Sequence, residues 1–247
     1  MGWRTLAALH AHVPRVHRTD RDGSIRLEVE GGALRVELEL RGGRLLSSLR
    51  LADAVPDAPW LGWSLGGLVA LHAAQARPTR VPALLMLCAS PRFVRGDDWP
   101  FGVSAEIFRD FAAGLRQDYQ GTLERFIALE AFGSDHAREE IRALRADVLA
   151  RGAPDAAALA DGLELLERTD LRATLPALQV PSLWLAGRRD RLVDPRAMQA
   201  AATIAPGATA NVIEHAGHAP FLTHADAVAS QVRTFLGQRP VAAARPA

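Results

Sequence analysis

The sequence contains a single cysteine, which excludes an internal disulfide framework and any zinc cluster built on thiolates. It contains no lysine, so arginine supplies all of its permanent positive charge, a bias that reads as the codon usage of a GC-rich genome. It also lacks an excess of either sign. Twenty-nine basic residues stand against 28 acidic ones for a net charge of +1, which leaves no electrostatic footprint for a nucleic acid. Apolar runs are short. Pro82–Cys88 is typical, far below the roughly 20 residues that cross a bilayer. Met1–His12 has Arg4 but no sufficient apolar core before His10, His12 and Arg15, so no secretory signal is read there. The expectation is a cytoplasmic chain with a reduced Cys88. There is no phosphate loop, no dinucleotide fingerprint and no metal-ligand spacing. Neither cofactor nor metal is expected.

What is present is enough apolar matter for a core: 49% of 247 residues are hydrophobic and 23% charged. That length fits one large domain, or one domain with a sizeable insertion. Ile25–Leu40 alternates apolar and polar residues around Gly31-Gly32, the pattern of a β-hairpin. Beyond it the chain alternates short apolar strands with helices: a strand at Ala58–Trp63, a helix at Leu65–Ala76 and a strand at Pro82–Cys88. From Trp99 to Leu175 there is no strand. Helices are expected near Ser104–Arg116, Gly121–Phe132, Asp135–Arg151 and Ala156–Glu167. Strands return at Pro181–Ala186 and Ala210–Glu214, with helices at Pro195–Ala205 and Ala225–Leu236, and Arg239–Ala247 is a frayed tail. The layout is an α/β class with a mostly parallel sheet. The predicted units are an atypical N-terminal segment (1–50), a core (51–95 and 176–247) and an inserted helical cap (96–175).

The chemistry centres on Gly62-Trp63-Ser64-Leu65-Gly66, a G-x-S-x-G between a predicted strand and a predicted helix. A serine on so tight a turn projects its hydroxyl above the sheet, and small neighbours relieve the crowding. The Leu65 amide, at the helix N-terminus, points toward a developing oxyanion. Such a serine needs a base, and the base an acid to orient it. On this kind of fold the acid precedes the histidine in the chain. Asp190 and His218 stand just after predicted strands and meet that order. Asp194 and His215 meet it equally. The remaining histidines (His10, His12, His17, His72, His136, His224) read as solvated surface groups.

Several separate stretches resemble one family. They are Trp60–Leu68 around the serine, Ser90-Pro91-Arg92-Phe93 and Asp98-Trp99-Pro100 at the start of the cap, Leu123–Phe126 and Gly162–Leu166 within it, and Gly217-His218-Ala219-Pro220-Phe221 around the base. They are similar to the pimeloyl-acyl-carrier-protein methyl ester esterases, the BioH type of α/β-hydrolase, over about residues 57–238. The resemblance implies the α/β-hydrolase fold and a carboxylesterase of biotin synthesis that frees methanol from a carrier-bound pimeloyl methyl ester. It implies Ser64 as nucleophile, Asp190 as acid, His218 as base and the Leu65 amide as oxyanion donor. Trp63, Phe126, Leu129 and Glu130 are the expected substrate-binding residues. The expected partner is an acyl carrier protein, and the expected state a monomer. Arg138, Arg142 and Arg145, spaced i, i+4, i+7, share a helix face that with Arg125 suits an acidic carrier. Those arginines equally suit an exposed face paired with Glu139 and Glu140. A generalist short-chain carboxylesterase and a weakly active or inert chain are the alternatives.

The first fifty residues depart from the family, which begins with a strand and a His-Gly-Trp type turn that supplies the second oxyanion amide. Met1-Gly2-Trp3 is read as the remnant of that turn, with Trp3 as the donor. An upstream shift of reading frame, with the family-like frame resuming near Leu51, accounts for the departure.

Overall fold

The structure, a computed structural model, describes residues 28–30, 33–35, 49, 52–53, 57–130 and 156–237. Strands β1 (Glu28–Glu30) and β2 (Ala33–Arg35) pair antiparallel, with Glu30 opposite Ala33 across Gly31-Gly32. This is the hairpin that the alternation predicts, and it stands apart from the main sheet.

That sheet has four strands in the order β3 (Trp60–Trp63), β4 (Leu84–Leu87), β5 (Ser182–Gly187) and β6 (Ala208–Ile213), all parallel. Every residue of β4 and β5 is buried, as expected for central strands covered on both faces. The side-chain period of two divides them cleanly. Leu84, Met86, Trp184 and Ala186 join a core shared with helices α1 (Leu65–Ala76) and α5 (Pro195–Ile204). Leu85, Leu87, Leu183 and Leu185 face the opposite way, onto Val228 and Phe235 of α7 (Ala225–Gly237). The core is therefore three layers, helix–sheet–helix. Among the described residues β3 forms one edge of the sheet, and Leu61 on it is 49% exposed.

Between β4 and β5 lie helices α2 (Ala105–Gln117), α3 (Tyr119–Glu130) and α4 (Ala156–Arg168), then a 3₁₀ turn at Arg172–Ala177. Ser104 caps α2 by accepting the Ile107 amide at 3.2 Å. Phe108, Ala112 and Leu115 of α2 meet Val94 and Leu163 in a small core of their own. The two ends of this segment are tied together. The Leu171 amide donates to the Pro91 carbonyl at 3.0 Å. Arg172 lies 5.1 Å over the Trp99 ring and donates to the carboxylates of Asp98 (2.9 Å) and Asp170 (2.8 Å).

The helix at Leu65–Ala76 has the expected bounds, and the other described strands of the main sheet and the other expected helices among the described residues begin and end within two residues of theirs. Two short elements, the 3₁₀ turn and α6 (Pro220–Thr223), carry too few residues to show a period. The expected helix at 135–151, with Arg138, Arg142 and Arg145, lies outside the described residues, as do Trp3 and the 239–247 tail.

Candidate active site

Ser64 occupies the single residue between β3 and α1, at φ 53° and ψ −125°. A serine in that region is strained, and its surroundings enforce the strain. Its amide donates to Leu87 of β4 at 3.2 Å, and its carbonyl accepts from Gly67 at 2.9 Å. Gly62 must lack a side chain, because a Cβ there would lie 2.6 Å from the Gly67 Cα and closer still to the Gly66 carbonyl. Gly66 is different: a Cβ there meets nothing within 4 Å. Leu65 opens α1, so its amide is one of the first-turn donors without an intrahelical acceptor.

Asp190 follows β5 and is buried. Its Oδ1 accepts the amides of Leu192 and Val193, each at 2.9 Å. Its Oδ2 lies 2.9 Å from Nδ1 of His218, a side chain with 1% exposure. An ionised carboxylate only accepts, so Nδ1 carries the proton and donates it. The loop bearing Asp190 is stitched to the end of β6 by Arg188 and Arg189, whose amides donate to Ile213 (3.0 Å) and Ala216 (2.8 Å). Gly187 permits this approach. A Cβ there would lie 2.6 Å from the Ala216 carbonyl and press harder on that of Gly217.

The competing pair is engaged elsewhere. Asp194 caps α5 through the Arg196 amide (2.8 Å) and pairs with the Arg196 guanidinium (2.6 Å), whose hydrogen bonds hold its carboxyl below the usual carboxylate range. His215 turns its Nδ1 to Arg189 at 3.0 Å on the surface.

Aromatic residues crowd the histidine. The Trp63 indole N–H donates to the His218 carbonyl at 2.7 Å, and its ring lies 5.5 Å from the imidazole. Phe221 meets Trp63 edge-on at 5.1 Å. Phe126 of α3 stands 6.4 Å from the imidazole, edge-on, and packs at a tilt against Phe111 at 5.4 Å. Leu129 and Glu130 lie in the last turn of α3. Arg125 is exposed, donating to Thr122 Oγ1 at 2.8 Å with Asp118 at 3.8 Å. A cleft of about 830 Å³ opens beside Asp190, with Phe126 in its wall.

Cys88, just past β4 at φ 45°, is a neighbour that sequence reasoning missed. Its thiol faces the Gly217 carbonyl at 3.8 Å. Its sulfur and the ligand atoms of Asp190 and His218 lie within 4.8 Å of one another. Thiolate, imidazole and carboxylate form a donor set for a borderline metal. The Asp190 oxygens, however, already accept three hydrogen bonds. Positions 88, 190 and 218 are too far apart in the chain to form a spacing motif. Among the described residues no helix is long and apolar enough to cross a membrane.

Comparison with known proteins agrees with this geometry. The family model for the α/β-hydrolase fold matches residues 50–225. A pimeloyl-acyl-carrier-protein methyl ester esterase of Stenotrophomonas maltophilia is 59% identical over 186 residues, covering 75% of this chain and 71% of that one. A protein of the same name from Xanthomonas campestris is 57% identical over 190 residues, covering 77% and 75%. Among solved structures, an esterase from Exiguobacterium antarcticum superposes with a TM-score of 0.71 at 19% identity, over 82% of this chain and 77% of that one. An enol-lactonase from Burkholderia xenovorans gives 0.70 at 22%, over 83% and 80%. At such identities these two show the fold. The parallel sheet, the serine turn and the curated relatives together place the chain in the α/β-hydrolase family, among the pimeloyl-acyl-carrier-protein methyl ester esterases.

Proposed function

We propose that this chain is a serine carboxylesterase that hydrolyses the methyl ester of pimeloyl-acyl carrier protein, a step of biotin synthesis, with Ser64, His218 and Asp190 as its catalytic residues. The observation that carries the reading is the buried His218–Asp190 hydrogen bond, set on loops after adjacent parallel strands, with the histidine held by Trp63, the residue before a serine at a strained strand-to-helix turn. Asp190 fixes the proton on Nδ1, which leaves Nε2 as the basic nitrogen. Nε2 takes the Ser64 proton as Oγ attacks the ester carbonyl, and the charge on the tetrahedral oxygen falls to the Leu65 amide. Collapse breaks the bond to the methoxy oxygen, which takes the proton from Nε2 and leaves as methanol. Water then attacks the acyl-serine, His218 accepting its proton, and the acid is released with Ser64 restored.

The second oxyanion donor in this reading is the Trp3 amide. The carrier docks on Arg125, Arg138, Arg142 and Arg145, and the helices of 96–175 cap the 51–95 and 176–247 core. Phe126 and Trp63 are the aromatic groups nearest His218 and suit a wall for an acyl chain. We assign the chain to the cytoplasm as a monomer. The names of its curated relatives support the choice of substrate.

The test compares turnover of methyl pimeloyl-acyl carrier protein with that of p-nitrophenyl acetate, alongside labelling by a fluorophosphonate. The expected result is a marked preference for the carrier substrate and an adduct on Ser64 that is lost in Ser64→Ala. Equal turnover of the two removes the carrier assignment. No adduct in folded protein removes the esterase.

A further inference from the structure

Strand β4 ends at Leu87, and the next residue is the one cysteine of the chain. Cys88 takes a φ of 45°, a region that residues bearing a Cβ rarely occupy. Its amide holds the turn by donating to the Leu185 carbonyl of β5 at 2.8 Å. Strain of this kind persists only where the surroundings enforce it. Here it sets the sulfur beside the ligand atoms of His218 and Asp190, and all three residues are buried.

Thiolate, imidazole and carboxylate are the three ligand types that zinc accepts from proteins. Around a tetrahedral Zn²⁺, with bonds of about 2.0–2.3 Å, such atoms stand roughly 3.3–3.7 Å from one another. Nδ1 of His218 and Oδ2 of Asp190 are 2.9 Å apart, and the three ligand atoms all lie within 4.8 Å of one another. That spread brackets the spacing a cation needs. The Gly217 carbonyl, 3.8 Å from the sulfur, is a fourth donor on the same loop as His218. Asp190 can take part without leaving its own loop. Its Oδ1 accepts the Leu192 and Val193 amides, and Oδ2 is the oxygen that meets His218. An ion that takes the place of the Nδ1 proton leaves both amide bonds intact. Asp190 also lines the 830 Å³ cleft, which gives a route from solvent.

We propose that Cys88, His218 and Asp190 form an inhibitory site for a thiophilic divalent cation of the zinc class. The inference rests on the reading of His218 as the base for Ser64. An ion held by Cys88 and Asp190 meets the imidazole at Nδ1, the nitrogen that faces Asp190. Binding releases the Cys88 thiol proton to solvent, and the proton of the neutral imidazole moves from Nδ1 to Nε2. Bonds from sulfur, nitrogen and oxygen to the metal form, and no electron is transferred. Nε2 then carries a proton and cannot take one from Ser64. The ion blocks proton transfer rather than binding, so kcat falls and KM holds.

The experiment titrates the metal-free, reduced full chain with Cd²⁺ and with Zn²⁺, beside Cys88→Ala and Cys88→Ser. Because the chain has one cysteine, an ultraviolet thiolate-to-Cd²⁺ charge-transfer band reports Cys88 alone. The expected result is a saturable band in the parent that both variants lack. Hydrolysis of p-nitrophenyl acetate should decline in step with the band, through kcat, and return on adding EDTA. Without metal both variants should match the parent, and the ion concentration that halves their kcat should rise at least about tenfold. His218→Ala, inactive as an esterase, should bind Cd²⁺ at least about tenfold more weakly by the same band. No band at saturation, a band without loss of kcat, or inhibition undiminished in both Cys88 variants overturns the site. A band of equal affinity in His218→Ala overturns it too. If the metal-free parent hydrolyses no ester, the esterase reading falls, and the band with its weakening in His218→Ala decides the metal site by itself.

Discussion

Trp63 holds the backbone of His218: its indole N–H meets the histidine carbonyl at 2.7 Å, 155 residues further along the chain. The residue before the strained serine thereby ties to the loop that carries the imidazole, beside the bonds of that loop to Arg189 and Asp190. Trp63→Phe keeps a ring against Phe221 but abandons that carbonyl. A stability loss of about 1–2 kcal/mol is expected in chemical denaturation. kcat should fall roughly tenfold through misplacement of the imidazole, with KM little changed. A variant with unaltered kcat would show that the loop is held by other contacts.

Asp190→Asn keeps an oxygen for the Leu192 and Val193 amides, so folding should survive. The new NH₂ group would face Nδ1 and reverse the histidine's tautomer. A fall in kcat of about 10³–10⁴ is expected, with a normal melting transition. A loss of less than tenfold in folded protein would remove Asp190 from its assigned role.

Gly187→Ala drives a methyl group into the carbonyls of Ala216 and Gly217, which belong to backbone and cannot rotate aside. The expected cost is about 1–3 kcal/mol. Activity should fall further than stability does, because the displaced residue is the immediate neighbour of His218. Gly66→Ala, where a Cβ meets open space, is the matched comparison and should leave the fold intact.

The Arg172 contacts predict an acid-dependent stability. Hydrogen bonding to Arg172 lowers the carboxyl of Asp98. For Asp170, partial burial raises it, and the hydrogen bonds and charge of Arg172 more than reverse that. Both folded values lie below the unfolded value of about 4. The contribution is therefore present above that value and is lost as pH falls through the folded ones. Arg172→Met should be less stable than the parent at neutral pH. The difference should narrow as pH drops below about 4, checked by denaturant titrations across that range. A difference independent of pH would assign the effect to packing on Trp99 alone.

Much of the fold was legible because its signals are local. Leu84–Leu87 is apolar at every position, as a strand covered on both faces must be. The glycines around Ser64 announce a turn that few residues tolerate. The hairpin around Gly31-Gly32 follows from alternation alone. Chain order alone did not separate Asp190 from Asp194, and it was the family resemblance that favoured Asp190. They share one loop and one residue type, and only the tertiary fold sends the first to His218 and the second to cap α5. The indole of Trp63 on a distant carbonyl and Cys88 close to the histidine were hidden for the same reason. Each joins segments whose separation in the chain carries no periodic signal.

The contacts of Arg172 and the Leu171–Pro91 bond make a narrow neck through which the chain departs from the sheet after β4 and returns before β5. Whatever is spliced beyond that neck begins and ends at nearly the same point, so its length and shape transmit little strain to the strands. Evolution can therefore rebuild the inserted helices without moving the strands to which they are tied.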